Sequence, residues 1–74
     1  MNKLKRKRLE TAFEQVSSAK RILEDVKAEE EDAYDNLPEQ FQNGERGEEM
    51  QGYVEMLEEA FNYLDDAASV IEQI

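Results

Sequence analysis

The sequence predicts an all-α protein, an antiparallel two-helix hairpin of coiled-coil type that dimerises into a four-helix bundle. Apolar residues recur in steps of three and four along both halves of the chain, which is typical of packed helices. A segment with one Pro and two Gly interrupts this pattern near the middle. The apolar face of the second half is wider than one neighbouring helix covers, which indicates a further partner.

The size of the chain makes self-association a natural expectation. With 74 residues it is one small domain, and such domains rarely have a self-sufficient core without disulfides, a metal or oligomerisation. There is no Cys and no His, so disulfides and the commonest zinc ligand are excluded. Oligomerisation is the remaining means of stabilisation, and a homodimer is the first expectation.

The composition also argues against catalysis. Nucleophilic triads and inward-facing Glu-x-x-His metal pairs need a His, and no calcium-loop spacing occurs. We therefore expect no enzyme activity, no catalytic residue, no cofactor and no metal. The absence of Cys fits a cytoplasmic protein, and no apolar run is long enough to span a membrane.

The charge is unevenly distributed, and it divides the chain into a basic arm (residues 1–8) and a hairpin domain (residues 9–74). The formal net charge is −10, but residues 9–74 hold four basic against nineteen acidic residues, a net charge of −15. Such a body repels nucleic acid and is attracted to basic surfaces. Because cations oppose the dipole at a helix N-terminus, we expect the arm to fray or to lie against acidic surface. Its cations are Lys3, Lys5, Arg6, Lys7 and Arg8.

The first helix is predicted over about 3–36, where neither Gly nor Pro occurs. Glu30 is the one charged residue in its apolar repeat, and it is expected at a solvated edge or paired with Lys27 or with a residue across the interface. Leu9, Phe13, Ile22 and Tyr34 widen the repeat. The repeat itself consists of Ala12, Val16, Ala19, Leu23, Val26, Glu30, Ala33 and Leu37.

The turn is predicted over 37–44. Pro38 ends the first helix, because the residue before Pro avoids the α region, and it also favours a single helical turn. Asn43 is expected to cap the second helix. Leu37 and Phe41 are the apolar residues that would close this end of the hairpin.

The second helix is predicted over 45–74, with Gly47 and Gly52 weakening its first turns slightly. Its heptad seam is assigned to Met50, Tyr53, Leu57, Ala60, Leu64, Ala67, Ile71 and Ile74. The flanking positions Val54, Met56, Phe61, Tyr63, Ala68 and Val70 are also apolar. The predicted residues of helix packing and of the oligomer interface are Val16, Leu23, Val26, Tyr53, Val54, Met56, Leu57, Phe61, Tyr63, Leu64, Val70 and Ile71.

The wide apolar face needs a cover beyond the hairpin itself. Two hairpins forming a four-helix bundle are the economical solution, and docking on a different protein is the alternative. In a head-to-tail dimer the basic arm would reach the partner's turn near Glu45, Glu48 and Glu49, and would thereby fix the orientation of the dimer.

The turn also carries a resemblance. Residues 35–42, Asp-Asn-Leu-Pro-Glu-Gln-Phe-Gln, are followed by Gly44-Glu45-Arg46-Gly47-Glu48 and a helix of Glu, Ala, Leu and Ile heptads. Over residues 10–74 this resembles a group of short acidic helical-hairpin proteins of Gram-positive bacteria, their phages and their mobile elements. The resemblance implies a helical hairpin and a phage or mobile-element origin, but no activity.

Two functions are consistent with these features. The first is a non-enzymatic protein–protein interaction module, a self-associating hairpin that acts as a small scaffold or adaptor. The second is an inhibitor that blocks a basic nucleic-acid-binding protein, such as a restriction or CRISPR nuclease, by presenting carboxylates in place of phosphates. Neither involves direct binding to nucleic acid or to a membrane. The candidate acidic face consists of Glu55, Glu58, Glu59, Asp65, Asp66 and Glu72.

Overall fold

The computed structural model describes residues 1–74 as three helices, α1 (Lys3–Asp35), α2 (Glu39–Gln42) and α3 (Glu45–Glu72), without strands. α1 and α3 pack along their lengths. They run antiparallel, since Arg6 Nη1 near the start of α1 donates to the main-chain oxygen of Ile74, at 3.5 Å. The result is an extended rod of 59 × 14 × 12 Å, consistent with the predicted helical hairpin. None of its helices has the length and apolar character needed to span a membrane.

α1 begins at Lys3, where the first helix was predicted to begin, so most of the basic arm is helical. The Asn2 side chain caps the helix by accepting a hydrogen bond from the Lys5 main-chain nitrogen, at 2.8 Å. Such a cap stabilises a helix by about 1 kcal/mol, at least as much as a cation near the N-terminus typically costs. The arm therefore extends α1 as a rigid, positively charged tip.

The end of α1 is held by the short helix that follows it. α1 ends at Asp35, one residue before the predicted end, and Pro38 is the N-cap of α2. The Gln42 side-chain nitrogen donates to the main-chain oxygen of Tyr34 at 3.0 Å. The same carbonyl also accepts from the Leu37 main-chain nitrogen at 3.0 Å, so the Gln42 bond is a second one, and it ties α2 back onto α1.

The start of α3 differs from the prediction in its cap. The N-cap residue of α3 is Gly44 and not Asn43 as predicted, so no side chain caps this helix. Asn43 is instead the C-cap residue of α2. Glu45 and Glu48 in the first turn favour this helix end through its dipole. Phe41 is also placed differently from the expectation, because it is half exposed and only Leu37 is partly covered at the closed end.

Gly47 is required by a close approach between α2 and α3. It is one of three buried residues in the chain, and a Cβ built on it would lie 2.0 Å from the main-chain oxygen of Gln42. A side chain at this position would push α2 off the first turn of α3. Gly52 is different, because a Cβ there would meet nothing within 4 Å.

The residues that face the opposite helix form a row that we call the inner seam. It repeats in steps of three and four, and all its members are buried or partly exposed, whereas most of the other residues of both helices are exposed. In α3 the seam uses Val54, Phe61 and Ala68 where the sequence analysis assigned Tyr53, Ala60 and Ala67. The inner seam consists of Leu9, Phe13, Val16, Lys20, Leu23, Lys27, Glu30, Tyr34 and Leu37 on the α1 side, and of Gly47, Met50, Val54, Leu57, Phe61, Leu64, Ala68 and Ile71 on α3.

The rotation of both helices has a simple physical reason. Turning α1 away from its alanines brings Phe13 and Tyr34 into the seam, and turning α3 brings in Phe61. Buried apolar area contributes about 25 cal/mol per Å², and these three aromatic side chains gain it at the contact, whereas Tyr53 is turned outward. Lys20 and Lys27 fit the same seam because their aliphatic stems lie against apolar surface while their ammonium groups reach water.

The two early glycines of α3 give a matched test of the turn. We expect Gly47→Ala to destabilise the protein by about 1–3 kcal/mol or more, because the new methyl group overlaps the main chain of Gln42. Gly52→Ala should stabilise it by about 0.5–1 kcal/mol, because alanine is the better helix former and the space is open. Urea unfolding followed by circular dichroism measures both; equal effects would contradict the close approach at Gly47.

Candidate interaction surfaces

The hairpin leaves a second apolar surface uncovered, which we call the outer face. Tyr53, Met56, Tyr63 and Val70 on α3, which were predicted for helix packing or for the oligomer interface, are between 49% and 66% exposed in the hairpin. In α1, Ile22 is 61% exposed and Val26 is 40% exposed. The outer face comprises Ala12, Ala19, Ile22, Val26 and Ala33 of α1, and Tyr53, Met56, Ala60, Tyr63, Ala67, Val70 and Ile74 on the α3 side.

The predicted packing residues thus divide between two surfaces. Seven of them belong to the inner seam, namely Val16, Leu23, Val54, Leu57, Phe61, Leu64 and Ile71. The other five, Val26, Tyr53, Met56, Tyr63 and Val70, belong to the outer face. Ile22 was not among the predicted packing residues. The seven-residue spacing of the neighbouring Ala12, Ala19, Val26 and Ala33 indicates the apolar stripe to which it belongs.

Ion pairs mark one flank of the inner seam as polar. Lys20 Nζ lies 2.6 Å from an Asp65 carboxylate oxygen, and Lys27 Nζ lies 3.8 Å from one of Glu58. Asp65 and Glu58 directly follow the seam residues Leu64 and Leu57. Lys27 Nζ also lies 3.9 Å from a carboxylate oxygen of Glu31. Glu31 directly follows the seam residue Glu30.

The outer face occupies the opposite flank on both helices. Ala12, Ala19, Val26 and Ala33 directly precede Phe13, Lys20, Lys27 and Tyr34 of the seam, and Tyr53, Ala60 and Ala67 directly precede Val54, Phe61 and Ala68. In an antiparallel pair, matching flanks of the two helices lie on the same side. The apolar stripes of α1 and α3 therefore form one continuous surface along the rod, and the ion pairs lie on the other side.

Lys20 joins the polar flank to the inner seam. Its ammonium group lies 5.1 Å from the centre of the Phe61 ring as well as within bonding distance of Asp65. A cation over an aromatic face contributes roughly 0.5–1 kcal/mol at an exposed site, similar to a surface ion pair. Each of these contacts adds little to the stability of the fold, and their main effect is to set the axial register of α1 against α3.

Two tyrosines of the outer face are bonded to carboxylates of their own helix. The Tyr53 hydroxyl donates to Glu49 at 2.9 Å, and the Tyr63 hydroxyl donates to Glu59 at 3.1 Å. These bonds to charged acceptors raise the pKa of both tyrosines, and Glu30 across the hairpin adds a smaller electrostatic contribution to the pKa of Tyr53. Both phenols are therefore kept neutral, with their rings on the exposed apolar surface.

Glu30 itself makes no ion pair, because Lys27 is bound by Glu31 and Glu58 instead. Its partly exposed position is the solvated edge that the sequence analysis offered as one alternative. Proximity to Tyr53 places it on the flank of the outer face.

The six residues of the candidate acidic face are all exposed, but they do not form one uniform surface. Asp65 and Glu58 are neutralised by lysines of α1. Glu55, Glu59, Asp66 and Glu72 have no cation within 4.0 Å. Glu59 and Asp66 lie seven residues apart on the back of α3, away from α1.

The two ends of the rod carry opposite unpaired charge. No cation of the basic arm forms an ion pair within the hairpin. At the other end Glu39, Glu45, Glu48 and Glu49 are exposed and also without an ion-pair partner, and Arg46 is the one cation among them.

The grooves of the hairpin are shallow and open. One of them, about 360 Å³, lies between the two helices at the open end and is lined in part by Leu9, Phe13, Ile71 and Ile74. No group of three or more carboxylates is close enough together to hold a metal ion. The surface of the rod is thus made up of open grooves and exposed apolar and charged stripes.

Comparison with family models, curated proteins and solved structures finds no match to this chain.

Proposed function

We propose that this protein is a non-enzymatic interaction module that self-associates through its outer face, forming a four-helix bundle from two hairpins and serving as a small scaffold or adaptor. The observation that carries the proposal is the continuous exposed apolar surface formed by both helices. Monomeric proteins rarely leave so large an apolar surface uncovered, and such surfaces typically mark protein interfaces.

The thin core of the single hairpin supports the same proposal. Only Gly47, Met50 and Ala68 are buried, and every other residue of the inner seam is partly exposed. A 74-residue chain with so little buried apolar area has little free energy to offset the entropy of ordering its backbone. Covering the outer face would add buried area on both helices and raise the stability of the fold.

The distribution of charge supports a specific interface over general aggregation. Acidic residues line the polar flank and the back of α3, so that only one side of the rod lacks charge. A protein with a net charge of −10 repels copies of itself except where an apolar face compensates. This confines association to the outer face.

Charge mimicry of nucleic acid is the second candidate function. It is favoured by the acidic residues on α3 that have no cation partner, among them Glu55, Glu59, Asp66 and Glu72, since these present carboxylates without an ion pair along one helix. A basic nucleic-acid-binding site, for example that of a restriction or CRISPR nuclease, is the partner that this chemistry suits. The two functions use different sides of the rod and are compatible with each other.

A charged substitution on the outer face tests self-association directly. We expect Tyr63→Glu to weaken the dimer by at least about 100-fold, because each copy would bury a carboxylate without a partner. Asn62→Glu is the matched control: it adds the same charge one residue earlier, at an exposed position outside the outer face, and should leave the dimer intact. Light scattering at micromolar concentration measures the mass; a wild-type monomer, or equal behaviour of the two variants, would contradict the proposal.

Charge mimicry is tested by comparing free with paired carboxylates. Cleavage of duplex DNA by a panel of restriction and CRISPR nucleases is measured with the protein added at low and high salt. Inhibition through mimicry should fall with salt, and should fall further in Glu59→Gln/Asp66→Asn than in Glu58→Gln/Asp65→Asn, whose carboxylates are already neutralised by lysines. Inhibition that persists at high salt would point to the outer face as the binding surface.

A further inference from the structure

We infer that the two hairpins associate antiparallel, around a two-fold axis that crosses the outer face at the level of Ile22 and Tyr63, so that the basic arm of each copy lies beside the turn of the other. The inference rests on the proposed self-association and adds to it the partner, a second copy of this chain, together with the orientation and the register.

The ion pairs fix the relative level of the two helices. Lys20 is bound to Asp65, and Lys27 is bound to Glu58. The second pair lies seven residues after the first along α1 and seven residues before it along α3, so both pairs define the same antiparallel register. The same register places Ile22 level with Tyr63. Both residues belong to the outer face and are more than 60% exposed.

The apolar stripes of the two helices are centred on this level. In α1 the stripe runs from Ala12 to Ala33, with Ile22 at its middle. On the α3 side it runs from Tyr53 to Ile74, with Tyr63 at its middle. A two-fold axis at this level, perpendicular to the rod, therefore lays each stripe on its own reversed copy.

The resulting register pairs residues of compatible size. On α1, Ala12 lies opposite the partner's Ala33, and Ala19 lies opposite the partner's Val26. These small side chains let two α1 helices approach to roughly 8 Å between axes. On α3, Met56 lies opposite the partner's Val70, and the two copies of Tyr63 meet at the axis.

Charge selects this arrangement over the one with both hairpins pointing the same way. A two-fold axis along the rod would bring the two basic arms together at one end and the two acidic turns together at the other, with no opposite charge between them. The perpendicular axis places residues 3–8 level with the partner's residues 43–48, at the acidic start of the partner's α3. Each arm, which has no ion pair in its own hairpin, then meets carboxylates that are also unpaired.

The arm presents suitable cations on the correct side. Lys5 lies seven residues before Ala12, and Arg8 lies fourteen residues before Ile22, so both continue the stripe of the outer face. Lys3 and Lys7 point toward the other sides of α1. The arm thus has two cations directed at the partner and further cations that remain in solvent.

The side of the rod that carries the outer face, together with the arm and the turn at its two ends, is large enough for a stable dimer. The rod is 59 Å long and 14 Å wide between Cα atoms, so that this whole side measures about 800 Å². Specific protein–protein interfaces of standard size bury roughly 800 Å² on each partner. A full-length antiparallel overlap reaches this size.

Disulfide trapping tests the orientation, because the chain has no cysteine of its own. Ala19→Cys protein is mixed separately with Val26→Cys and with Ala67→Cys protein, refolded and mildly oxidised, and the mixed dimers are counted by mass spectrometry. The antiparallel arrangement predicts a disulfide between Ala19→Cys and Val26→Cys, whose Cα atoms would lie within the roughly 7 Å that a disulfide spans. The arrangement with both turns at one end predicts the disulfide with Ala67→Cys instead.

The outcomes separate this inference from the function it rests on. A dominant disulfide product with Val26→Cys supports the antiparallel register. A dominant disulfide product with Ala67→Cys overturns the register, and so does the absence of any disulfide product from a protein that is dimeric by light scattering. In both of these cases self-association stands. A protein that is monomeric by light scattering overturns both.

The role of the arm is tested by two variants of equal charge. Lys5→Gln/Arg8→Gln should weaken the dimer by about tenfold at low salt and reduce its salt dependence, because two cations directed at the partner are removed. Lys3→Gln/Lys7→Gln removes the same charge from the other sides of α1 and should have a smaller effect. Equal effects of the two double variants, measured by sedimentation equilibrium, would overturn the contact between the arm and the turn.

Discussion

Each long helix of this protein carries two apolar faces, and a single neighbouring helix covers only one of them. The inner seam uses the first face, where Phe13, Tyr34 and Phe61 are partly buried and Met50 and Ala68 are buried between α1 and α3. The second face is left on one side of the rod, because matching flanks of antiparallel helices lie together. The shape of the molecule and our proposal for its function both follow from this constraint.

The features of the hairpin keep the uncovered face continuous and flat. The Gly47 contact and the Gln42 side chain hold α2 over the closed end of the rod. Lys20 and Lys27 occupy seam positions but direct their charge to the opposite flank, so that the outer face stays free of ammonium groups at its centre. The tyrosine hydroxyls are satisfied by carboxylates of α3 itself, which leaves their rings available for contact.

Much of the fold followed from the sequence, because periodicity and a Pro–Gly interruption are strong local signals. The columns of apolar residues in α3 were recognised, but the choice between Tyr53 and Val54 as seam residues was not, since both belong to rows spaced by three and four. That choice depends on packing against α1 and on the close approach at Gly47, which are tertiary effects. The Asn2 cap is a local signal in the sequence that favours a helix at the arm and acts against the unfavourable charge there.

The most direct test of this account is the thermal unfolding midpoint of the wild-type protein, followed by circular dichroism over a range of protein concentrations. If folding is linked to dimer formation through the outer face, the midpoint rises with concentration, because mass action favours the associated state. A cooperative transition of a monomer, with a midpoint that does not change over a hundredfold range of concentration, would contradict the central claim that the second apolar face is covered by another copy of the chain.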